Sequence, residues 1–406
     1  MAQIAQRYQA YRAVPLWTAA GRPPKIYPWL AREESCQVCV VGGGLTGALC
    51  ALRFAQAGVD TVLVAAGPVG YGATSRFTGV MQADALGGLR ALSARIGADK
   101  AAAIYRQCRQ AADNLEILTE SAPEKCGFAR VNSFLYTELE TNMAAMREEY
   151  WMKKRAGFRV RPVGGAQARE QFSFDLENGV ITEDVAVTVD PYRLTHLLVQ
   201  QAVAAGARVY ENSPVEHIAD GDGGRRLECA TRRNIKAHTV VLATGVDCEG
   251  FLKGCGARYT HFAVATAPQD AVPGLPAGVI ATRTDHPMVT ISRSPDGRIL
   301  AEGVDSRHSP LGLGKSSRFI RLEETISDCF PQLHNTRAAY AFFCEYLCTK
   351  DRLPVIGEHA DYPGCLFALC GGPAGGLFAE IASRLLLAHY QGDSFSGEEW
   401  FSPRRL

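Results

Sequence analysis

Between residues 36 and 65 the chain runs strand, glycine turn, helix and strand. This unit constrains the fold more than any other stretch, because the order fits within about 30 residues. Cys36-Gln-Val-Cys-Val-Val41 is a short run rich in β-branched residues, and it ends in Gly42-Gly-Gly44. Leu45–Ala57 follows with apolar residues at helical spacing, and Gly58 stops it. Thr61–Ala65 reads as a second buried strand. In Gly42-x-Gly44-x-x-Gly47 each glycine has a separate reason. Gly42 permits the tight turn, Gly44 lets backbone approach a pyrophosphate, and Gly47 lets helix and strand pack closely. The helix N-terminus then offers N–H groups and a positive dipole to phosphates. One piece is absent. The acidic residue expected to accept hydrogen bonds from an adenosine ribose falls at Ala65, 18 residues after Gly47, and Asp60 is at the wrong end of the strand.

Composition excludes several alternatives. Lys and Arg number 43 against 42 Asp and Glu, a net charge of +1. Nucleic acid or an anionic membrane would need clustered excess positive charge. With 47% hydrophobic and 21% charged residues, the chain is too apolar to be disordered. The 13 cysteines are odd in number and scattered, which argues against a disulfide framework and for a reducing compartment. The N-terminal residues hold no continuous apolar run, so no secretory signal is expected. The most apolar long stretch, Cys365–Ala388, is broken by Gly371, Gly372, Pro373, Gly375 and Gly376, and it carries Glu380 and Arg384. No transmembrane span is expected there, and the chain reads as cytoplasmic.

Further along, residues 13–30 are rich in proline and aromatics and read as an extended arm. Residues 89–120 have the period of one or two amphipathic helices, 128–137 of a strand and 138–157 of another helix. A helix starts after Asp190 and runs to Gly206, followed by strands over 207–215 and 237–243. Strand and turn alternate from Phe262 to Gly303, with Pro295-Asp-Gly297 as a hairpin turn. A helix over 316–330, a strand over 366–369, a glycine-rich turn and a last helix complete the chain. The dinucleotide-binding elements thus recur at its start, middle and end. A discontinuous two-domain protein is expected: 1–88, 185–250 and 340–406 in one domain, 89–184 and 251–339 in the other.

Other motifs carry no chemistry. Gly312-Leu-Gly-Lys-Ser316 lacks the first glycine of a phosphate-binding loop, since position 309 is Ser309. Cys36 and Cys39 sit at odd spacing in a strand, which predicts opposite faces and neither a metal pair nor a dithiol. The nine histidines show no ligand spacing, and no catalytic metal is expected.

Val40-Val-Gly-Gly-Gly-Leu-Thr-Gly47, Gly70-Tyr-Gly-Ala-Thr-Ser-Arg76, Val241-Leu-Ala-Thr-Gly245 and Thr349-Lys-Asp-Arg-Leu-Pro-Val-Ile-Gly357 occur in that order. Together they resemble the FAD-dependent D-amino-acid oxidase superfamily, and within it the γ-glutamylputrescine oxidase-like and glycine/sarcosine oxidase-like members. The resemblance extends over essentially the whole chain. It implies an α/β fold with a Rossmann-like FAD-binding domain and an α+β substrate domain, FAD as cofactor, and oxidation of a C–N bond.

The same resemblance implies roles for residues. Gly42, Gly44, Leu45, Thr46 and Gly47 would hold the pyrophosphate. Ala73, Thr74, Ser75 and Arg76 would lie along the flavin's ribityl chain and ring. Val215 would place its backbone near adenine, with Thr244 and Gly245 approaching the dinucleotide. Gly371, Gly372 and Gly375 would start the last helix, its dipole aimed at the flavin pyrimidine. The family writes this turn differently where Pro373 and Ala374 stand, and Pro373 removes an N–H donor. Cys344 matches the position of covalent FAD attachment in sarcosine-oxidase-like members; the alternative is a small buried hydrophobe. Amino-acid-oxidising relatives place an Arg to clamp the substrate carboxylate where Tyr346 stands. That favours an amine, or a substrate whose carboxylate is distant. Arg293 is a candidate replacement or a solvated strand residue, and Tyr259 and His261 are candidates to line the substrate side or simply to pack.

Three readings follow. The first is a flavoenzyme acting on a small amine or amino acid, with oxygen or another acceptor taking the electrons and a partner subunit possible. The second is a degenerate homologue that binds FAD weakly or not at all, serving as a non-catalytic subunit; Ala65, Pro373 and Ala374 motivate it. A nicotinamide dehydrogenase is third, since the middle and terminal motifs would have no role in it.

Overall fold

The computed structural model describes residues 15–19, 23–221, 223–250, 252, 254, 256–308, 315–333, 336–372 and 374–406. Pro373, the 312–314 part of the loop-like glycine stretch, and positions 13–14 and 20–22 of the arm lie outside the described residues. The chain divides into two compact units. The first comprises Met1–Ala19, Arg76–Asp190 and Tyr259–Glu345; the second comprises Ala20–Ser75, Pro191–Arg258 and Tyr346–Leu406.

The second unit is built on a sheet whose strand order is β16-β17-β10-β1-β2-β7, from β1 (Glu34–Val41), β2 (Thr61–Val64), β7 (Arg208–Tyr210), β10 (Asn234–Leu242), β16 (Val355–Glu358) and β17 (Cys365–Leu369). A hairpin of β8 (Val215–Gly221) and β9 (Gly224–Cys229) pairs antiparallel with β10. β1 runs parallel to both neighbours, with Val41 opposite Leu242 on one side and Val64 on the other. Its last four residues are buried, as a central parallel strand covered on both faces requires. Helix α1 (Leu45–Gln56) packs against α6 (Pro191–Ala204) and α8 (Gly375–Gln391). The charges in the apolar terminal stretch have partners here. Glu380 of α8 is fully buried, 3.0 Å from Arg53 of α1 and 3.0 Å from Arg384. No helix among the described residues is long and apolar enough to cross a membrane.

Cys36 and Cys39 do not face opposite sides of β1. Both belong to one buried cluster, and their thiols are hydrogen-bonded; that bond, with burial, pushes the Cys39 thiol well up. The N–H groups of Gln37 and Val38 both donate to Asp60 O at 3.0 Å, and this shared acceptor breaks the alternation between the two cysteines.

The first unit holds a mixed sheet in the order β15-β11-β14-β13-β12-β4-β6-β3. Its strands are β3 (Val80–Met81), β4 (Ala129–Thr137), β6 (Asn178–Thr188), β11 (Ala257–Pro268), β12 (Val279–Arg283), β13 (Val289–Arg293), β14 (Arg298–Arg307) and β15 (Ala338–Cys348), with β5 (Val160–Gly164) paired to β6. One buried cluster on this sheet is aromatic, with Phe134, Phe172, Phe174, Phe262 and Phe330 packed with Phe319, Leu322 and Ile326 of α7 (Lys315–Cys329). The expected helical region near 89–120 is two helices, α2 (Gly88–Ile96) and α3 (Ala98–Thr119), broken at Gly97 with φ 92°. Helix α4 (Met143–Arg155) carries a buried Lys153, 2.7 Å from Asp84 and 3.3 Å from Glu149. Glu149 also accepts the N–H groups of Leu89 and Arg90 at 2.7 and 2.6 Å, which satisfies the open end of α2. A short helix, α5 (Gly165–Gln171), follows β5.

Residues 76–88, grouped in the sequence with the dinucleotide elements, belong to this first unit. Polar side chains tie them to its sheet. Thr78 bonds Glu302 of β14, Gln82 bonds Thr282 of β12 at 2.9 Å, and Asp84 accepts from Ser133 of β4 at 2.6 Å.

Candidate active site

In the second unit the glycines of the first turn are required by backbone proximity. Gly42 has φ +125°, and a Cβ on it would stand 2.3 Å from Ala243 O. A Cβ on Gly47 would stand 1.8 Å from Gly42 O. A Cβ on Gly44 would meet the Thr74 hydroxyl at 3.2 Å. That hydroxyl accepts the N–H of Leu45, the first residue of α1, at 3.0 Å. Thr46 is half-buried in the same turn of helix. Ala73–Arg76 forms one 3-10 turn, in which the Ser75 hydroxyl lies 3.0 Å from the carbonyls of Tyr71 and Gly72. Thr244 follows β10, and its buried hydroxyl has no hydrogen-bond partner among the described residues; Gly245 follows with φ 63°. Val215 is half-buried at the start of β8, opposite Cys229.

These residues fit a dinucleotide. A glycine cradle open at Gly44, a helix start without a side-chain cap from its N-cap residue, and an unsatisfied hydroxyl at Thr244 are donors and space suited to phosphate and sugar oxygens. The ribose end is different. Ala65 offers no carboxylate, and its Cβ lies where a Cβ on Gly43 would be 2.7 Å away. Glu211, just past the end of the neighbouring β7, is buried, but its two oxygens accept the N–H groups of Val69 (2.7 Å) and Tyr27 (3.0 Å). Sequence reading missed Glu211, because only the β2–β7 pairing brings it to this edge.

The last helix also begins on glycines. A Cβ on Gly371 would stand 3.0 Å from Leu347 O, and one on Gly372 (φ +86°) would touch the Tyr346 ring at 3.4 Å. Tyr346 therefore lies against the turn that leads to α8, which opens at Gly375 with no side-chain cap.

The first unit gathers a second set of polar groups. His261 sits where the β11–β14 pairing slips, between Thr260 and Phe262. Its Nδ1 is 2.6 Å from Asp305 and its Nε2 is 3.3 Å from Glu302, whose carboxylate also accepts the Thr78 hydroxyl. Burial lowers the imidazole pKa, but the two carboxylates outweigh it and hold it well above 6.5. Cys344 of β15 is subject to the same field. Burial pushes its thiol up to about 11, Asp305 and Glu302 push the same way, and His261 and Arg76 oppose them. So the structure brings His261, Cys344 and Arg76 together and adds Thr78, Glu302 and Asp305, which no spacing marked.

Tyr259 is two residues before His261 and opposite Arg307. Arg293 is elsewhere. It pairs with Ile299, three residues along β13 from the Thr290–Glu302 pair, about 10 Å away. Its guanidinium donates to the carbonyls of Gln269 (2.9 Å) and Asp270 (3.3 Å), so it holds a loop.

The chain is 22% identical over 223 residues to a probable oxidoreductase, OrdL, of Haemophilus influenzae, covering 54% of this chain and 51% of that protein. It is 26% identical over 202 residues to the gamma-glutamylputrescine oxidoreductase of Escherichia coli, covering 49% and 47%. The chain thus spans about half the length of these two relatives. The crystal structure of glycine oxidase from Geobacillus kaustophilus superposes with a TM-score of 0.73 at 20% identity, covering 89% of this chain and 96% of that one, which establishes a shared fold. The family described as FAD dependent oxidoreductase (DAO) matches residues 37–388; the chain belongs to that family, and its cofactor is FAD.

Proposed function

We propose that this protein oxidises the C–N bond of a small amine or amino acid. FAD, when bound, supplies the acceptor for the hydride that leaves the carbon next to nitrogen. The substrate nitrogen must be neutral for that hydride to leave, and water then hydrolyses the imine to a carbonyl and ammonia or an amine. Oxygen or another acceptor takes the electrons.

The chain's own residues bind and orient. The second unit is the FAD-binding domain. There Gly42, Gly44, Leu45, Thr46 and Gly47 hold the pyrophosphate at the start of α1, with Thr74 fixing that helix end. Ala73, Ser75 and Arg76 flank the flavin, Val215 lies near adenine, and Thr244 and Gly245 meet the dinucleotide. Gly371, Gly372 and Gly375 let α8 present its positive end to the flavin pyrimidine, with Tyr346 bracing the turn. The first unit is the substrate domain, with Tyr259 and His261 on its substrate side. Cys344 belongs with the flavin-side residues, either as a point of FAD attachment or as a small packed side chain; with its thiol pushed up to about 11, attachment would need Arg76 and the His261 charge to favour the thiolate. Tyr346 in place of a carboxylate-clamping Arg, and Arg293 engaged with a loop, support an amine over a simple α-amino acid.

The unsatisfied Thr244 hydroxyl beside the glycine cradle carries this reading, because a buried hydroxyl without a partner is costly until a ligand supplies one. A second reading, a homologue that has lost tight FAD binding, is favoured by the ribose edge, where Ala65 has no carboxylate and Glu211 is already engaged. The absorption spectrum of the purified protein, repeated on supernatant and pellet after acid precipitation, separates them. The expected result is flavin bands that bleach when amines are added without oxygen. Flavin kept in the pellet supports attachment through Cys344. Absence of flavin, even after soaking with FAD, overturns the enzyme reading in favour of the second.

A further inference from the structure

One buried carboxylate of the first unit has no part in the reading above. Glu302 is 5% exposed in the middle of β14, and its cross-strand neighbours are the uncharged Thr290 and Ala263. Its Oε2 is shared by two groups, the Thr78 hydroxyl and His261 Nε2. The ring's other nitrogen is tied to Asp305. Glu302 is buried and Asp305 partly so; taking such a carboxylate out of water is expensive unless a cation compensates it, and the imidazolium is a cation in contact with both. The charged groups around this ring are therefore Glu302 and Asp305 of β14, with Cys344 of β15 and Arg76 sharing their field. Thr78 stands two residues after Arg76, the last residue of the Ala73–Arg76 turn. Trp17 adds a second tie to this short stretch, its indole N–H donating to Phe77 O at 2.7 Å.

We propose that Glu302 is a positioning residue: through the Thr78 hydroxyl it sets the place of Arg76, and His261, backed by Asp305, is the counter-charge that keeps it there. The consequence for the cofactor rests on the flavin reading above, in which Arg76 flanks the flavin; the clamp itself does not. Losing the ring proton at alkaline pH removes the counter-charge that Glu302 and Asp305 share and loosens the clamp, with no bond made or broken.

Three proteins test this: the wild type, Glu302→Gln, which keeps the shape and removes the charge, and Thr78→Val, which keeps the shape and removes the hydroxyl. Each is measured with and without FAD, by amide hydrogen exchange over residues 76–81 and by NMR of the His261 ring across pH. FAD affinity and the visible flavin band are recorded on the loaded protein. In the wild type, exchange over 76–81 should rise at the pH where the ring loses its proton. In Glu302→Gln the ring proton should be lost at lower pH, with exchange raised at neutral pH. Thr78→Val should raise exchange without moving the ring. Both variants should weaken FAD binding by about 10-fold and change the fine structure of the flavin band. A ring already neutral at pH 7 in the wild type, or unchanged exchange in both variants, overturns the clamp with or without FAD. Altered exchange with unchanged FAD affinity and band overturns only its role toward the cofactor. Failure of the wild type to take up FAD overturns the flavin reading, while the exchange and NMR results still decide the clamp.

Discussion

At the scale of single residues, glycines separate a steric requirement from a conformational one. Gly47 has no room for a Cβ, with Gly42 O at 1.8 Å. Gly58 ends α1 with φ +78°, yet apart from its chain neighbours nothing among the described residues lies within 4 Å of its Cβ position. Gly47→Ala should therefore destabilise by about 1–3 kcal/mol through forced backbone movement and lose FAD. Gly58→Ala should cost about 1 kcal/mol from strain and keep FAD. Thermal unfolding and flavin retention check both; equal retention would show that the cradle is not where FAD binds. Thr244→Val gives a split of opposite signs. It removes a buried hydroxyl that lacks a partner, so the protein without FAD should be as stable or up to about 1 kcal/mol more stable. FAD binding should weaken by roughly 1 kcal/mol, about fivefold. Titration calorimetry with FAD and unfolding of the unloaded protein measure the two halves, and a loss of stability without FAD would contradict the assignment.

Elements show what could be read from the chain and what could not. The β1–α1–β2 unit was legible because its signals are local. A run of β-branched residues, a glycine turn and helical spacing all fall within a few residues of one another, and the parallel pairing of Val41 with Val64 follows from them. Gly97, with φ 92°, marks the break between α2 and α3, a stop that a glycine signals locally. Glu302, Asp305 and Thr78 were not legible. They meet His261 or each other across 41, 44 and 224 residues, at a slip in strand register that no composition reveals. The Cys36–Cys39 pair misled because strand periodicity assumes regular pairing, and Gln37 and Val38 share one acceptor. Lys153 on α4 belongs to the same illegible class, since a lysine in a helix reads as solvated. It is instead buried between Asp84 and Glu149, and those carboxylates raise its pKa above 10.5 against the opposing effect of burial. Its stabilisation is complete below pH 10.5 and is lost only as pH rises through the higher folded value. Lys153→Met leaves two buried carboxylates without their cation and should cost about 3–5 kcal/mol at pH 7. Adding Asp84→Asn should recover a good part of that loss. Denaturant midpoints of the two variants decide it, and a single-variant loss under about 1 kcal/mol would mean that Lys153 is not the compensating charge.

For the whole molecule, two histidines impose opposite pH dependences on stability. Burial in α6 pushes His196 down to about 4, whereas the carboxylates around His261 hold it well above 6.5. Between pH 4 and 6.5 the unfolded chain binds a proton at His196 that the folded chain refuses. Stability there should rise with pH, by up to about 3 kcal/mol across the window. Above pH 6.5 the folded chain keeps a proton at His261 that the unfolded chain releases, so stability should fall as pH rises through the folded value. The unfolding free energy should therefore peak near pH 6.5. The two residues lie in different units, His196 in the second and His261 in the first, so each limb reports on one unit. His196→Leu should flatten the acid limb between pH 4 and 6.5 and leave the alkaline limb intact. His261→Asn should lower stability at neutral pH, because Glu302 and Asp305 lose their counter-charge, and should remove the alkaline decline. Denaturant unfolding from pH 4 to 9 on the three proteins measures the limbs. If the two units unfold as one, both variants shift a single transition. If they unfold apart, each variant moves only the transition of its own unit. An alkaline limb that survives His261→Asn would show that the ring is not the group that titrates, and would remove the charge on which the Glu302 clamp depends.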